Sequence, residues 1–223
     1  MDRLEQAETI LIGERHGFAP HQNRVALILE ELALRGRFPT LALEMLEPAQ
    51  MPALETYRAD NPEYVGGLGA ALNWSETGWP AWSFYEPVFR AAFRAKLEVM
   101  AADLPKEEQR LIRRTGETSL DYSQIAYEEW IKSIAEALCL DPSSKFVRHE
   151  ALRQIARDQH IANSIDSVPG HAVLVAGGEH IRSDRVIGAL GKQAETLGFM
   201  PDQASHTHYD YVWKQGHQAT NGC

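Results

Sequence analysis

A chain of 223 residues, 44 % hydrophobic and 24 % charged, has the bulk and composition of a water-soluble domain with a sizeable core. Its formal net charge of −9 argues against a nucleic-acid partner, which needs a basic face, and against an anionic membrane surface. No apolar run approaches the roughly 20 residues that span a bilayer, so no transmembrane segment is expected.

Taken in chain order, the first predicted strand, residues 9–13, holds Thr9, Ile10, Leu11 and Ile12 and runs into Gly13, Glu14, Arg15 and His16. A helix over about 20–36 follows. Pro20 suits its first turn, Val25, Ile28, Leu29 and Leu32 recur on one face, and Gly36 stops it. The second strand, 40–46, contains Glu44. Residues 48–79, punctuated by Pro48, Pro52, Pro62, Gly66, Gly67, Gly69 and Gly78, read as an irregular insertion. Then come a helix at about 80–95, a strand at 97–103, patchy helix over 104–142 and a long helix at 143–167. A strand at 171–177, a helix at 183–198 and a strand at 207–213 complete the series.

This alternation predicts a single α/β domain over 1–223, with a mostly parallel central sheet and helices on both faces. Insertions are expected at about 48–95, where the sequence is aromatic-rich, and at 104–142; the tail, about 214–223, is expected to fray. Nothing near Met1 resembles a signal peptide or a lipoprotein cysteine, so the chain reads as cytoplasmic, although a form trimmed of a periplasmic or lipoprotein leader would read the same way. Cys139 and Cys223 are too few for a disulfide framework.

The chemistry is expected at the carboxyl ends of the parallel strands, which converge on one crevice. "GERH" (13–16) and "GGEH" (177–180) both place a histidine three residues after a glycine at a strand end, and Glu44 ends the strand between them. The spacing predicts a shared pocket for Glu14, His16, Glu44 and His180, with His21 pointing towards it from the first helix. Gly13 and Gly177 are expected to allow sharp exits from their strands. Two like charges 4 Å apart cost about 4 kcal/mol at an effective dielectric of 20, so Glu14 and Glu44 need an offset. A divalent metal such as zinc or manganese on His16, Glu44 and His180, or the cation of Arg15, would supply it; alternatively one carboxyl stays protonated. In a metal-free version His16 is the general base and Glu44 holds its orientation.

Asp158 falls within the apolar stripe Ala151, Ile155, Ala162 and Ile165, so it needs a partner. Arg157 and Arg182 are both candidates, and the pair is either a buried salt bridge or an orienting group for a site histidine. Trp74, Trp79, Trp82, Phe84, Tyr85 and Phe89 crowd residues 73–89. They suit a flat ligand, or glue the insertion to the core. His206 and His208 alternate in the last predicted strand, either as a solvated face or as a second metal site. "HEALR" lacks the second histidine of a zinc-protease helix, and there is no P-loop or G-x-S-x-G elbow.

The ordered set "ILIGERHGFAPHQ", "TLALEML", "WPAWSFYEPVF", "LEVMAADLP", "ALRQIARDQHIANSI", "VLVAGGEHIRSDRVI" and "YDYVWKQ" resembles the ChaN-type haem-binding uptake family of the Tiki superfamily, whose relatives include metal-dependent proteases and erythromycin esterases. The resemblance implies an α/β fold, haem bound through a tyrosine, homodimers that enclose paired haems, and a role in iron uptake. By position, Glu14, His16, Glu44, Asp158 and His180 match the family motifs. No motif marks the haem tyrosine, for which Tyr85 and Tyr122 are candidates. Asp103 stands where members often carry asparagine. Three readings therefore remain: a haem or iron-porphyrin binder, a hydrolase of the esterase or peptidase kind using Glu14, His16, Glu44 and His180, and a structural or partner-binding domain with a relict site.

Overall fold

The computed structural model describes residues 2–201 and 207–215. Six strands form one sheet: β1 (Thr9–Glu14), β2 (Thr40–Leu43), β3 (Val99–Ala101), β4 (Ala172–Gly177), β5 (Ala194–Pro201) and β6 (Tyr211–Gln215). Their spatial order is β3-β2-β4-β1-β5-β6, and every pairing is parallel. Parallel strands need crossovers, and helices stand between each pair of successive strands from β1 to β5. These are α1 (Asp2–Gln6), α2 (Ala19–Leu34), α3 (Met51–Asp60), α4 (Leu68–Ala71), α5 (Trp82–Arg94), α6 (Lys106–Thr115), α7 (Gln124–Leu138), α8 (Lys145–Asp166) and α9 (Val186–Ala189). The predicted fold class is the observed one.

Period-two alternation sends each strand's side chains to two different layers. On one face Ile10, Ile12, Leu41, Leu43, Val173 and Val175 pack against Val25, Ile28 and Leu29 of α2 and Val88, Phe89 and Phe93 of α5. On the other, Leu11, Ala42, Leu174 and Ala176 meet Ile161, Ala162 and Ile165 of α8 and Val186 of α9. Burial on both faces explains why β1 and β4 read as unbroken apolar runs. Helix α8 is covered on further sides too. Ala151 and Ile155 pack on Trp130 and Ile134 of α7, and Leu152 and Ala156 on Ile112 of α6.

Three expectations need correction. The helix predicted over 183–198 is the four-residue α9 followed by β5. Gly188 and Gly191 interrupt the helical stripe, and the chain from Ala194 onward pairs with both β1 and β6. The last strand begins at Tyr211 rather than at 207, so His208 precedes it in a turn; His206 lies outside the described residues. Lys214 and Gln215, expected in the tail, are in β6, while 216–223 lie outside the described residues. Among the described residues no helix is long and apolar enough to cross a membrane.

Candidate functional site

The carboxyl ends of β1, β2 and β4 lie side by side, with β4 in the middle. That adjacency brings Glu14, His16, Glu44 and His180 together. Glu14 follows Ile10 and Ile12 on the α2 face, where its two oxygens are taken by Nδ1 of His16 and the amide of Gln22. Glu44 accepts a hydrogen bond from the backbone N–H of Gly177 at 2.6 Å. Its other oxygen receives Nη2 of Arg157 at 2.6 Å and lies 3.3 Å from Nε2 of His180. Nε2 of His16 is 3.6 Å from Glu44. The imidazole of His16 is 31 % exposed and meets the edge of Trp79, whereas Glu14, Glu44 and His180 are buried. His16 is therefore the member of this group that faces solvent.

The two glycines serve close approach rather than a sharp turn, since neither has a positive φ. A β-carbon on Gly177 would come within 2.9 Å of His16 Nε2. One on Gly13 would meet Ile181 at 2.7 Å and the backbone of Gly178 at 2.9 Å. Gly177 leaves the space that the His16 ring fills; Gly13 lets the turn carrying His180 lie against β1.

Arg157, which the sequence offered as a partner for Asp158, is instead the hub that joins Glu44 and Asp103. Its guanidinium, buried in α8, donates from Nε to Asp103 at 2.6 Å and from Nη1 to Gln154 at 3.0 Å, besides the bond to Glu44. Asp103 is held in turn by Gln109 at 3.0 Å and by the N–H of Leu104 at 2.9 Å. The neighbouring Asp158 pairs with His180 Nδ1 at 2.6 Å and accepts from the indole of Trp130 at 2.8 Å. Arg182, expected on Asp158, instead binds Asp184 at 3.0 Å, because the short turn after β4 directs it outward. Arg15 is exposed, and Arg157 pairs with Glu44. The only sequence signal for Arg157 was its place beside Asp158 on a mostly buried helix.

The electrostatics follow from these contacts. Burial pushes Glu44 upward, but His180 and Arg157 outweigh it and hold the carboxyl well below its ordinary value. Burial opposes charge on His180, yet Glu44 and Asp158 push it up to about 9. His16 is raised for the same reason, by Glu44 and Glu14 against burial. Burial raises Glu14 and Asp158 despite their histidine partners. His21 goes the other way, down to about 4, through burial and the charge of Arg15. It stacks on Phe199 and accepts the backbone N–H of Arg15 at 2.9 Å on Nδ1. It is a structural neutral histidine, outside the carboxylate cluster.

The metal set of His16, Glu44 and His180 does not fit. No group of three or more His, Cys, Asp or Glu among the described residues is arranged to hold a metal ion. The guanidinium of Arg157 contacts both Glu44 and His180, and a second cation there would meet its repulsion. His208 lies near Ser183 and Arg182, without a metal arrangement.

The two tyrosines part company. Tyr85 is 1 % exposed and sits among Trp74 and the α5 core residues; burial and the charges of Glu14 and Glu44 raise its pKa. Trp74, Tyr85 and Phe89 thus fasten the insertion to the sheet. Tyr122 is 40 % exposed and contacts Tyr127 at 5.6 Å, which packs on the cluster of Leu104, Ile112 and Ala156. Those three side chains, with Leu111, Leu120 and His160, line a groove of about 300 Å³ between α6 and α8.

Comparison with known families matches residues 1–189 to the family described as haem-binding uptake, Tiki superfamily, ChaN. Among solved structures, one described as cofacial haem binding to ChaN of Campylobacter jejuni superposes with a TM-score of 0.80 at 22 % identity, covering 94 % of this chain and 88 % of that one. The type III effector HopBA1 superposes with a TM-score of 0.53 at 13 % identity, covering 97 % and 91 %. At such identities these likenesses speak for the fold. No curated protein matches the chain in sequence.

Proposed function

The chain belongs to the haem-binding uptake family of the Tiki superfamily, ChaN, and from that premise we propose that it binds haem in the groove between α6 and α8, with Tyr122 as the axial ligand. The observation that carries this reading is the contrast between the two candidate tyrosines. A ligand to iron must reach a porphyrin lying on or in the surface; Tyr85 is sealed in the core, while Tyr122 is exposed and touches Tyr127, which packs on Leu104, Ile112 and Ala156 of the groove. Phenolate oxygen is an established haem ligand, favouring ferric iron. The residues present suit a porphyrin. Leu104, Leu111, Ile112 and Leu120 supply apolar contact; Glu108 and Glu117 also line the groove, so the propionates belong at the α8 edge with Gln159, His160 and Asn163 rather than beside those carboxylates. Leu111 and Ile125, 49 % and 71 % exposed, leave an apolar rim that a second copy of the chain would cover, which makes a homodimer the fitting assembly. Haem or iron uptake is the setting this reading favours.

Adding hemin to the purified protein tests the proposal. A shifted Soret band is expected, weakened about tenfold or more in affinity by Tyr122→Phe, in line with the loss of an iron ligand, and unchanged by Tyr85→Phe. A band that ignores Tyr122, or no band at micromolar protein, rejects the site.

One observation favours a second activity at the strand ends. Among the described site residues His16 is the one that bridges the buried carboxylates and solvent, with Glu14 fixing its Nδ1 side. As a metal-free hydrolase the protein would use His16 as general base, oriented by Glu14 rather than by Glu44. Turnover on an ester or peptide panel that disappears in His16→Ala would support it; no turnover counts against it.

A further inference from the structure

We infer that Arg157 is a positioning residue for His16: by holding Glu44 from one side it keeps that carboxylate off Nε2, and the solvent-facing imidazole stays free to accept a proton. The inference deepens the hydrolase reading of the strand ends and rests on it. Both oxygens of Glu44 are pinned by buried donors. Oε1 takes Nη2 of Arg157 at 2.6 Å, and Oε2 takes the backbone N–H of Gly177 at 2.6 Å. With its plane fixed from α8 and β4, the carboxylate stops 3.6 Å short of Nε2 of His16, beyond hydrogen-bond reach. Nδ1 of the same ring is taken by Glu14, so Nε2 is the nitrogen left for water. Arg157 cannot follow Glu44 towards that ring, because its Nε is tied to Asp103 at 2.6 Å and its Nη1 to Gln154 at 3.0 Å.

The charges around the ring show why this hold matters. Glu44 and Glu14 raise His16 against its burial, and His180 opposes them. A carboxylate held just out of contact stabilises the imidazolium that forms as the base takes a proton, without trapping that proton in an ion pair. Arginine suits the task because its charge persists at every working pH and its fork reaches Glu44 and Asp103 together. In ester hydrolysis His16 would take a proton from water as the water oxygen bonds to the acyl carbon. It would return that proton to the leaving oxygen as the acyl–oxygen bond breaks. Without the guanidinium, Glu44 loses the permanent cation on Oε1 and turns towards the half-exposed ring. His16, clamped between two carboxylates, then holds its proton to higher pH.

The test is a nitrogen-15 NMR titration of His16 in wild type, Arg157→Gln and Arg157→Lys. Above its midpoint, wild-type His16 is expected to show a bare, pyridine-type Nε2 and a proton on Nδ1. In Arg157→Gln the midpoint is expected to rise by about one pH unit, and in Arg157→Lys, which keeps the charge, by less than half as much. The inference is overturned if the neutral wild-type ring carries its proton on Nε2, or if folded Arg157→Gln titrates as wild type does. Where Arg157→Gln does not fold, the wild-type tautomer decides. Activity supplies a separate arm. If wild type turns over an ester, the acidic limb of its pH profile should move upward in Arg157→Gln by the same interval, with kcat/KM at neutral pH falling about tenfold and recovering in Arg157→Lys. An unmoved limb overturns the inference, whereas no turnover in wild type overturns the hydrolase reading and leaves the NMR result to decide whether Arg157 keeps Nε2 free.

Discussion

The guanidinium of Arg157 and the carboxylate of Glu44 meet at 2.6 Å although 113 positions separate them in sequence, and both are buried, at 5 % and 1 % exposure. The contact ties α8 to the end of β2 across the top of the sheet. Removing one partner leaves the other charged and without water. Arg157→Leu is therefore expected to destabilise the fold by about 3–5 kcal/mol, read from urea unfolding at neutral pH. A loss below about 1 kcal/mol would mean that the pair contributes little.

Stability should decline on the alkaline side. His180 has a folded pKa of about 9, above its ordinary 6.5. Its contribution is complete below 6.5 and is lost as pH rises through 9, by up to a few kcal/mol at about 1.4 kcal/mol per unit. Glu44, held below 4.5, contributes above 4.5 and loses that contribution as pH falls through its depressed value. Unfolding free energy measured between pH 6.5 and 9.5 should slope downward in wild type and flatten in His180→Gln. Parallel slopes would refute the assignment.

His21 should stay neutral. With its pKa near 4 and Nδ1 accepting a backbone hydrogen bond, its ring carries its proton on Nε2. In a nitrogen-15 NMR titration its resonances are expected to stay flat from pH 5.5 to 8 as a roughly fully neutral ring would. A midpoint near 6.5 would contradict this environment.

Adding one methyl separates the two strand-end glycines. Gly13→Ala is driven against Ile181 and the backbone of Gly178 and should cost about 1–3 kcal/mol. Gly177→Ala presses on the half-exposed His16 ring, which can swing outward. Its smaller stability loss should come with a displaced His16 NMR signal; equal losses without that displacement would contradict the packing.

In the groove, Leu111→Glu places a charge where the porphyrin face is proposed to lie. Leu111 is 49 % exposed, so the melting temperature should hardly change, while hemin affinity falls about tenfold, the effect of roughly 1.4 kcal/mol. Unchanged affinity would move the haem elsewhere.

Several features were legible because local pattern and burial agree. The runs Ile10–Ile12 and Val173–Val175 can only be strands covered on both faces, and Asp158 in an apolar stripe announced a buried carboxylate in need of a partner. Strand β5 was missed because its lead-in, Val186–Ala189, carries a short helical stripe that its glycines then break. Asp103 and Gln22 were missed because a polar residue near a strand end or on a helix gives no sign of which charge it will face.

The sequence by itself determined the alternation of strands and helices, the family, and the residue types gathered at the strand ends, because periodicity and side-chain chemistry are local properties. Only the tertiary structure decided that Arg157 pairs with Glu44, that Arg182 binds Asp184 rather than Asp158, and that Tyr85 is sealed while Tyr122 is exposed. Those outcomes depend on strand order and on which face of α8 meets the sheet. Long-range packing sets both, and no short window of residues encodes them.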